Sequence, residues 1–246
     1  MKQIEIDSLV QTIQERTLGN ILNVVDLIDI PLTGHVFIAG QNRSGKTTLA
    51  KVLFSVLVGH RIFYNIQNDR EIYGLSDVTV FSPRELFEAI GLGKQRINYI
   101  PPSNSEESRA HLLQIYQMLM ALGSYVAKLP QVSSVKKYFW CTLFVDEAHI
   151  VAPKRSKDDG VSLLTTRGAG LGIRVVTISQ RPALLSQTIL TQSPFYFIFY
   201  VSPMERKYFS SYGLNLNEYK VFLDYQKHRY IFWDGFRTIP CEALRI

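Results

Sequence analysis

The feature that most restricts this chain is the run Gly40-Gln41-Asn42-Arg43-Ser44-Gly45-Lys46-Thr47. It lies between an apolar stretch, His35-Val36-Phe37-Ile38-Ala39, and a helix-forming one, Thr48-Leu49-Ala50-Lys51-Val52-Leu53-Phe54. Strand, glycine-bounded loop and helix in that order make the spacing G-x-x-x-x-G-K-[ST] a phosphate-binding loop. The glycines let the main chain wrap closely around an anion. The loop N–H groups and the helix N-terminus offer it partial positive charge. Lys46 is long enough to reach β- and γ-phosphates, and the Thr47 hydroxyl is a ligand for Mg²⁺. Residues Gly40 to Thr48 are together expected to hold a nucleotide.

The surrounding pattern alternates between strand and helix. Strands are expected at 60–64, 78–81, 97–100, 140–145, 174–178, 195–201 and 229–233. A helix opens at Pro83, where proline suits the first turn. A long helix follows Ser103, whose spacing to Glu106 is that of a capping box. Its apolar stripe runs through Leu112, Ile115, Tyr116, Leu119, Leu122, Val126 and Leu129, and Pro130 stops it. Helical segments are expected at 203–212 and 216–225. Such alternation predicts an α/β fold with a mostly parallel central sheet, helices on both faces and antiparallel edge strands toward the C-terminus. Residues 1–33 look like a lead-in packing on the core, and 34–246 like one domain.

Composition narrows the partners. The 246 residues carry a net charge of +6, which suits an acidic partner such as nucleic acid as well as ordinary solubility. Two cysteines, Cys141 and Cys241, make neither a metal cluster nor a disulfide framework. No apolar run has the length of a membrane span, and the first residues do not read as a signal peptide. A soluble, cytoplasmic protein is the expectation.

A second acidic element completes the first. Leu143-Phe144-Val145 is an apolar strand ending in Asp146-Glu147. Asp146 is placed to bind Mg²⁺ together with Thr47. Glu147 is placed to deprotonate an attacking water, which favours hydrolysis over phosphoryl transfer to a small molecule. Carboxylates here would also suit a helix start through its dipole. A third strand, Val176-Thr177-Ile178-Ser179, ends in Gln180-Arg181-Pro182. The Gln180 amide can bond a γ-phosphate or the nucleophilic water, although a plain strand-to-helix turn gives the same residues. No Asn-Lys-x-Asp signature for guanine is present, which favours ATP. His149 reads as incidental, a residue that packs on the helix or touches the groups around the site.

Taken in order, Gly40–Thr47, Leu143–His149, Thr166-Arg167-Gly168…Gly172-Ile173 and Ile178–Pro182 resemble the FtsK–HerA superfamily of RecA-like P-loop ATPases. The resemblance spans roughly residues 34–235. It implies a RecA-like core using ATP and Mg²⁺, assembled as a homo-oligomeric ring, commonly a hexamer, that moves double-stranded DNA. The chain's near-minimal length is similar to the short viral genome-packaging branch. That branch implies the host cytoplasm or a virion as location and a capsid or virion component as docking partner. A cellular or plasmid DNA pump of the same superfamily and an ATP-dependent assembly switch are the alternatives.

The ring implies an arginine acting on the next subunit's phosphate, and Arg167 is the candidate. The family's second basic position falls here on Ala169 or Gly170, which leaves Arg181 and Arg155 as substitutes. Lys46, Glu147, Gln180 and Arg167 are thus the expected catalytic set. Lys136, Lys137, Lys154, Arg155 and Lys157 are candidate contacts to DNA phosphates, and solvated charged loops would carry the same residues.

Overall fold

The computed structural model describes residues 34–129, 139–156, 159–223 and 227–244. The expected lead-in, 1–33, lies outside the described residues, as do Lys136, Lys137 and Lys157. One nine-stranded sheet organises the rest. Its strands are β1 (Val36–Ala39), β2 (His60–Tyr64), β3 (Val78–Val80), β4 (Arg96–Tyr99), β5 (Cys141–Val145), β6 (Ile173–Ser179), β7 (Phe195–Ile198), β8 (Tyr230–Trp233) and β9 (Thr238–Cys241). The spatial order is β3-β4-β2-β5-β6-β1-β7-β8-β9. All neighbours from β3 to β7 run parallel, and β8 and β9 pair antiparallel. The mostly parallel sheet and the antiparallel C-terminal edge therefore match the sequence pattern.

Helices cover both faces, as continuous apolar strands require. They are α1 (Lys46–Val56), α2 (Arg70–Leu75), α3 (Pro83–Gly91), α4 (Ser105–Lys128), α5 (Gly160–Arg167), α6 (Gln187–Gln192) and α7 (Pro203–Ser210). β1 shows the division plainly. Val36 and Ile38 pack with Leu49, Leu53 and Phe54 of α1 on one face. Phe37 and Ala39 pack with the layer holding α4, α5 and α6 on the other. Phe54 anchors α1 to the sheet, meeting Phe63 of β2 at 5.6 Å and Phe144 of β5 at 5.5 Å, edge to face in both cases. Aromatic pairs at this spacing add directional attraction to the area they bury. The helix that carries the phosphate-binding loop is thereby fixed to the strand that carries Asp146 and Glu147.

Register brings the strand ends to one level. Ala39 pairs with Ser179 on one side and Ile198 on the other. Val145 pairs with Thr177, so Asp146 and Glu147 emerge beside Ile178 and Ser179. The backbone N–H of Ala148 closes the corner by donating to the Ile178 carbonyl at 3.0 Å. This is the crevice at the carboxyl ends of the strands where open parallel sheets bind ligands.

Several boundaries differ from the sequence pattern. The cap of α4 is Asn104, whose side chain accepts from the Glu106 N–H at 2.8 Å, and not Ser103. Both residues can cap, but Asn104 holds the extended backbone required at that position (φ −72°, ψ 124°). Residues 216–225 do not form an α-helix over their described part. They make one 3₁₀ turn, Leu216–Tyr219. The strand expected at 195–201 ends at Ile198, after which Phe199 to Val201 turn over the loop. Helices α2 and α6 are six residues each, too short to show periodicity. β9 follows a turn at Asp234–Arg237 and carries Pro240, which disguises a strand.

Replacing Asn104 with Ala should lower unfolding free energy by about 1 kcal/mol, the usual worth of such a cap. Ser103→Ala should move it by less than about 0.5 kcal/mol. Urea denaturation of the two variants checks the assignment.

Candidate active site

The loop's geometry follows from its glycines. Gly40 leaves β1 where an added Cβ would fall 2.5 Å from Ser44 Oγ and 2.7 Å from Phe199 Cβ. Gly45 sits in the left-handed region at φ 107° as the cap of α1. It brings no side chain to cover the helix's first N–H groups, and the first turn holds no acidic residue. Those donors and the dipole are left to an external anion. The loop is tied down by the Gln41 N–H donating to the Tyr200 carbonyl at 2.7 Å and the Gly40 N–H to that of Ser179 at 3.3 Å.

A cleft of about 300 Å³ opens over this loop. Asn42, Arg43, Ser44, Gly45, Lys46, Thr47 and Thr48 line it, joined by Gln67, Glu147, Gln180, Phe199, His228 and Leu244. Gly40 and Gln41 lie beneath it as the turn that shapes the loop. The Lys46 ammonium is buried and donates to the Gln41 carbonyl at 2.7 Å. Burial lowers its pKa from the ordinary value, and the nearby Glu147 and Asp146 carboxylates partly offset this.

Asp146 and Glu147 are both buried. Asp146 Oδ1 accepts the N–H of Glu147 at 3.0 Å. Burial first, then the neighbouring Glu147, pushes the Asp146 carboxyl up to about 6. Two adjacent buried carboxylates with one ammonium are short of positive charge. Thr47 and Asp146 are hard oxygen donors of the type Mg²⁺ takes, so the residues fit that cation.

Glu147 is held from three sides. Gln67, just beyond β2, donates its amide to Oε1 at 3.0 Å. The Gln180 amide, just beyond β6, donates to the same oxygen. His149 Nδ1 lies 3.3 Å from Oε2 but not in hydrogen-bond geometry, so Oε2 has no hydrogen-bond partner among the described residues. His149 is also 3.4 Å from Ser179 Oγ. Burial keeps its pKa below the ordinary value, with Glu147 opposing and Arg181 reinforcing the shift. The histidine that read as incidental therefore stands against Glu147. Glu147 itself has φ 44°, a left-handed backbone uncommon for a side chain of this size and a form of strain that concentrates at functional sites.

Lys46, Thr47, Glu147 and Gln180 thus meet at one cleft, with Asp146 buried directly behind Glu147. Arg167 does not join them. It is exposed in the last turn of α5, ahead of β6, where it donates to the Tyr116 hydroxyl at 3.2 Å. That is the end of the sheet away from its own cleft. Lys154 and Arg155 are exposed in the loop after β5. Lys154 sits 6.0 Å from the Tyr208 ring centroid, and its N–H is fixed to the Leu184 carbonyl at 2.8 Å. Gln67, Phe199, His228 and Leu244 were not readable from sequence. Each lies outside a motif and reaches the cleft only through strand order.

No protein-family model matches the chain, and no curated protein matches it in sequence. Solved structures do match in fold. The genome packaging NTPase B204 of Sulfolobus turreted icosahedral virus 2, in complex with AMPPCP, is 16% identical with a TM-score of 0.64, covering 87% of this chain and 100% of that one. B204, the DNA-packaging ATPase of Sulfolobus turreted icosahedral virus, is 18% identical with a TM-score of 0.63, covering 86% and 98%. VirB4 of Thermoanaerobacter pseudethanolicus is 10% identical with a TM-score of 0.60, covering 86% and 90%. The chain has the P-loop ATPase fold. At these identities the likeness is one of fold. Among the described residues, no helix is long and apolar enough to cross a membrane.

The Asp146 carboxyl gives a signed pH prediction. Its folded pKa lies above the ordinary carboxyl value of 3.8, so its contribution to stability is greatest below pH ~4 and is lost as pH rises through about 6. Ionisation therefore lowers the stability of the nucleotide-free fold at neutral pH. Asp146→Asn keeps the acceptor for the Glu147 N–H and removes that cost. Its melting temperature should exceed that of the wild type at pH 7.5, and the gap should close toward pH 4. A constant gap in paired thermal scans would reject the assignment.

Proposed function

We propose that this chain is an ATP-hydrolysing motor that moves double-stranded DNA, working as a subunit of a viral genome-packaging ring. The observation carrying the reading is the state of Glu147 beside the glycine loop. One carboxylate oxygen is clamped by Gln67 and Gln180 while the other has no hydrogen-bond partner among the described residues. That is the arrangement a base for water needs. The packaging role draws on the fold shared with the viral NTPases named above.

In this reading the loop N–H groups and α1 hold the phosphates, and Lys46 exchanges its Gln41 carbonyl for the phosphate oxygens. Thr47 and Asp146 would hold Mg²⁺, which would neutralise phosphate charge. Glu147 takes a proton from the attacking water as the water oxygen bonds to the terminal phosphorus and the bond from that phosphorus to the β–γ bridging oxygen breaks, releasing ADP. The Gln180 amide reaches both Glu147 and the phosphate, and so senses whether that phosphate is attached. Arg167, exposed and remote from its own cleft, is offered to the next subunit in the ring. Lys154 and Arg155 are offered to DNA phosphates.

Purified protein should hydrolyse ATP faster with duplex DNA than without it, and native mass measurement should find a ring of copies. Glu147→Gln should retain ATP binding and lose turnover. Slow hydrolysis indifferent to DNA would support an assembly switch instead. Neither Arg167→Ala nor Lys46→Ala alone should turn over ATP, yet mixing the two should restore part of the rate. No recovery in mixed assemblies would remove Arg167 from the role of a finger in trans.

A further inference from the structure

β1 divides the sheet at the cleft. β2, β5 and β6 lie to one side, and Gln67, Glu147 and Gln180 follow them at the terminal-phosphate end. β7, β8 and β9 lie to the other. Phe199 stands just beyond β7, His228 just before β8 and Leu244 just beyond β9. β7 runs with β1, β8 runs against β7, and β9 reverses again. The end of β7, the start of β8 and the end of β9 therefore all come to the loop's side of the sheet. Phe199, His228 and Leu244 line the same cleft as the loop. If the terminal phosphate lies against Glu147, the rest of the nucleotide leaves the loop in the opposite direction, past Thr48.

We propose that His228 and Leu244 form the two walls of the nucleobase subsite. This rests on the ATPase reading above and supplies the base contacts that no motif contains. Leu244 suits a base and not a phosphate, and the His228 ring offers a base a flat face. The His228 imidazole is exposed and flat, and Leu244 is a half-buried apolar side chain packed on the α1 face of the core. Base–ring stacking needs such a face.

Two further observations show that the walls are built. A Cβ on Gly45 would lie 3.6 Å from the His228 Cβ and 2.9 Å from Phe199 Cε1, so both residues close directly onto the start of α1. Arg229 Nε pairs with Glu242 Oε2 at 2.7 Å, tying the segment that presents His228 to the one that presents Leu244.

Calorimetric titration of the full chain with ATP and, separately, with inorganic tripolyphosphate tests the assignment, both with Mg²⁺. His228→Ala and Leu244→Ala should each weaken ATP on the order of tenfold, as loss of a base contact does. Tripolyphosphate, which has no base, should bind them as it binds the wild type. His228→Phe keeps a flat ring and should retain ATP affinity. ATP binding unchanged in both alanine variants would overturn the proposal, and so would equal losses for ATP and tripolyphosphate. A wild-type chain that binds neither ligand would overturn the ATPase reading itself, a result distinguishable from failure of the base wall alone.

Discussion

Two neighbouring carboxylates taken out of water, with one ammonium near them, set the terms for the rest of this molecule. Burying like charges side by side is unfavourable unless protonation or a cation relieves it. Here the relief is partial. The Asp146 carboxyl is pushed up to about 6, while Glu147 is held by neutral amides from two separate strands. The aromatic contacts under the site, Phe54 against Phe63 and Phe144, are what keep loop and acids from drifting apart. The site is closely packed below and short of positive charge above.

Much of this was legible in the sequence because the chemistry is local. The glycine loop, the acidic strand end and Gln180 each occupy a few consecutive residues whose context can be read directly. Fully buried strands such as β5 announce themselves as apolar runs. Long-range contributions were not legible. Gln67 reaches Glu147 across eighty positions of chain, and nothing beside it in sequence marks that meeting. α2 and α6 are too short for a period, and β9 carries a proline. Ser103 and Asn104 are equally good caps on paper, and backbone direction decided between them. His149 seemed incidental because its neighbours Glu147 and Ser179 meet only after β5 and β6 pair.

The site also divides by origin. The reactive half comes from strands on one side of β1, close to the parallel centre of the sheet. The half assigned to the base comes from β7 and the antiparallel strands beyond it, whose loops are free to vary without disturbing the acids. Chemistry and ligand preference are thereby placed on separate parts of the scaffold, which meet at Gly45.

Pro240 in the outermost strand has a consequence for assembly. Proline has no N–H to give to a further strand, and at the far side β3 offers three residues. Sheet edges of this kind resist being extended by another chain. Among the described residues, both ends of the sheet are thereby poor templates for a strand from another chain. An association made through side chains instead could part and reform without breaking a ladder of main-chain bonds.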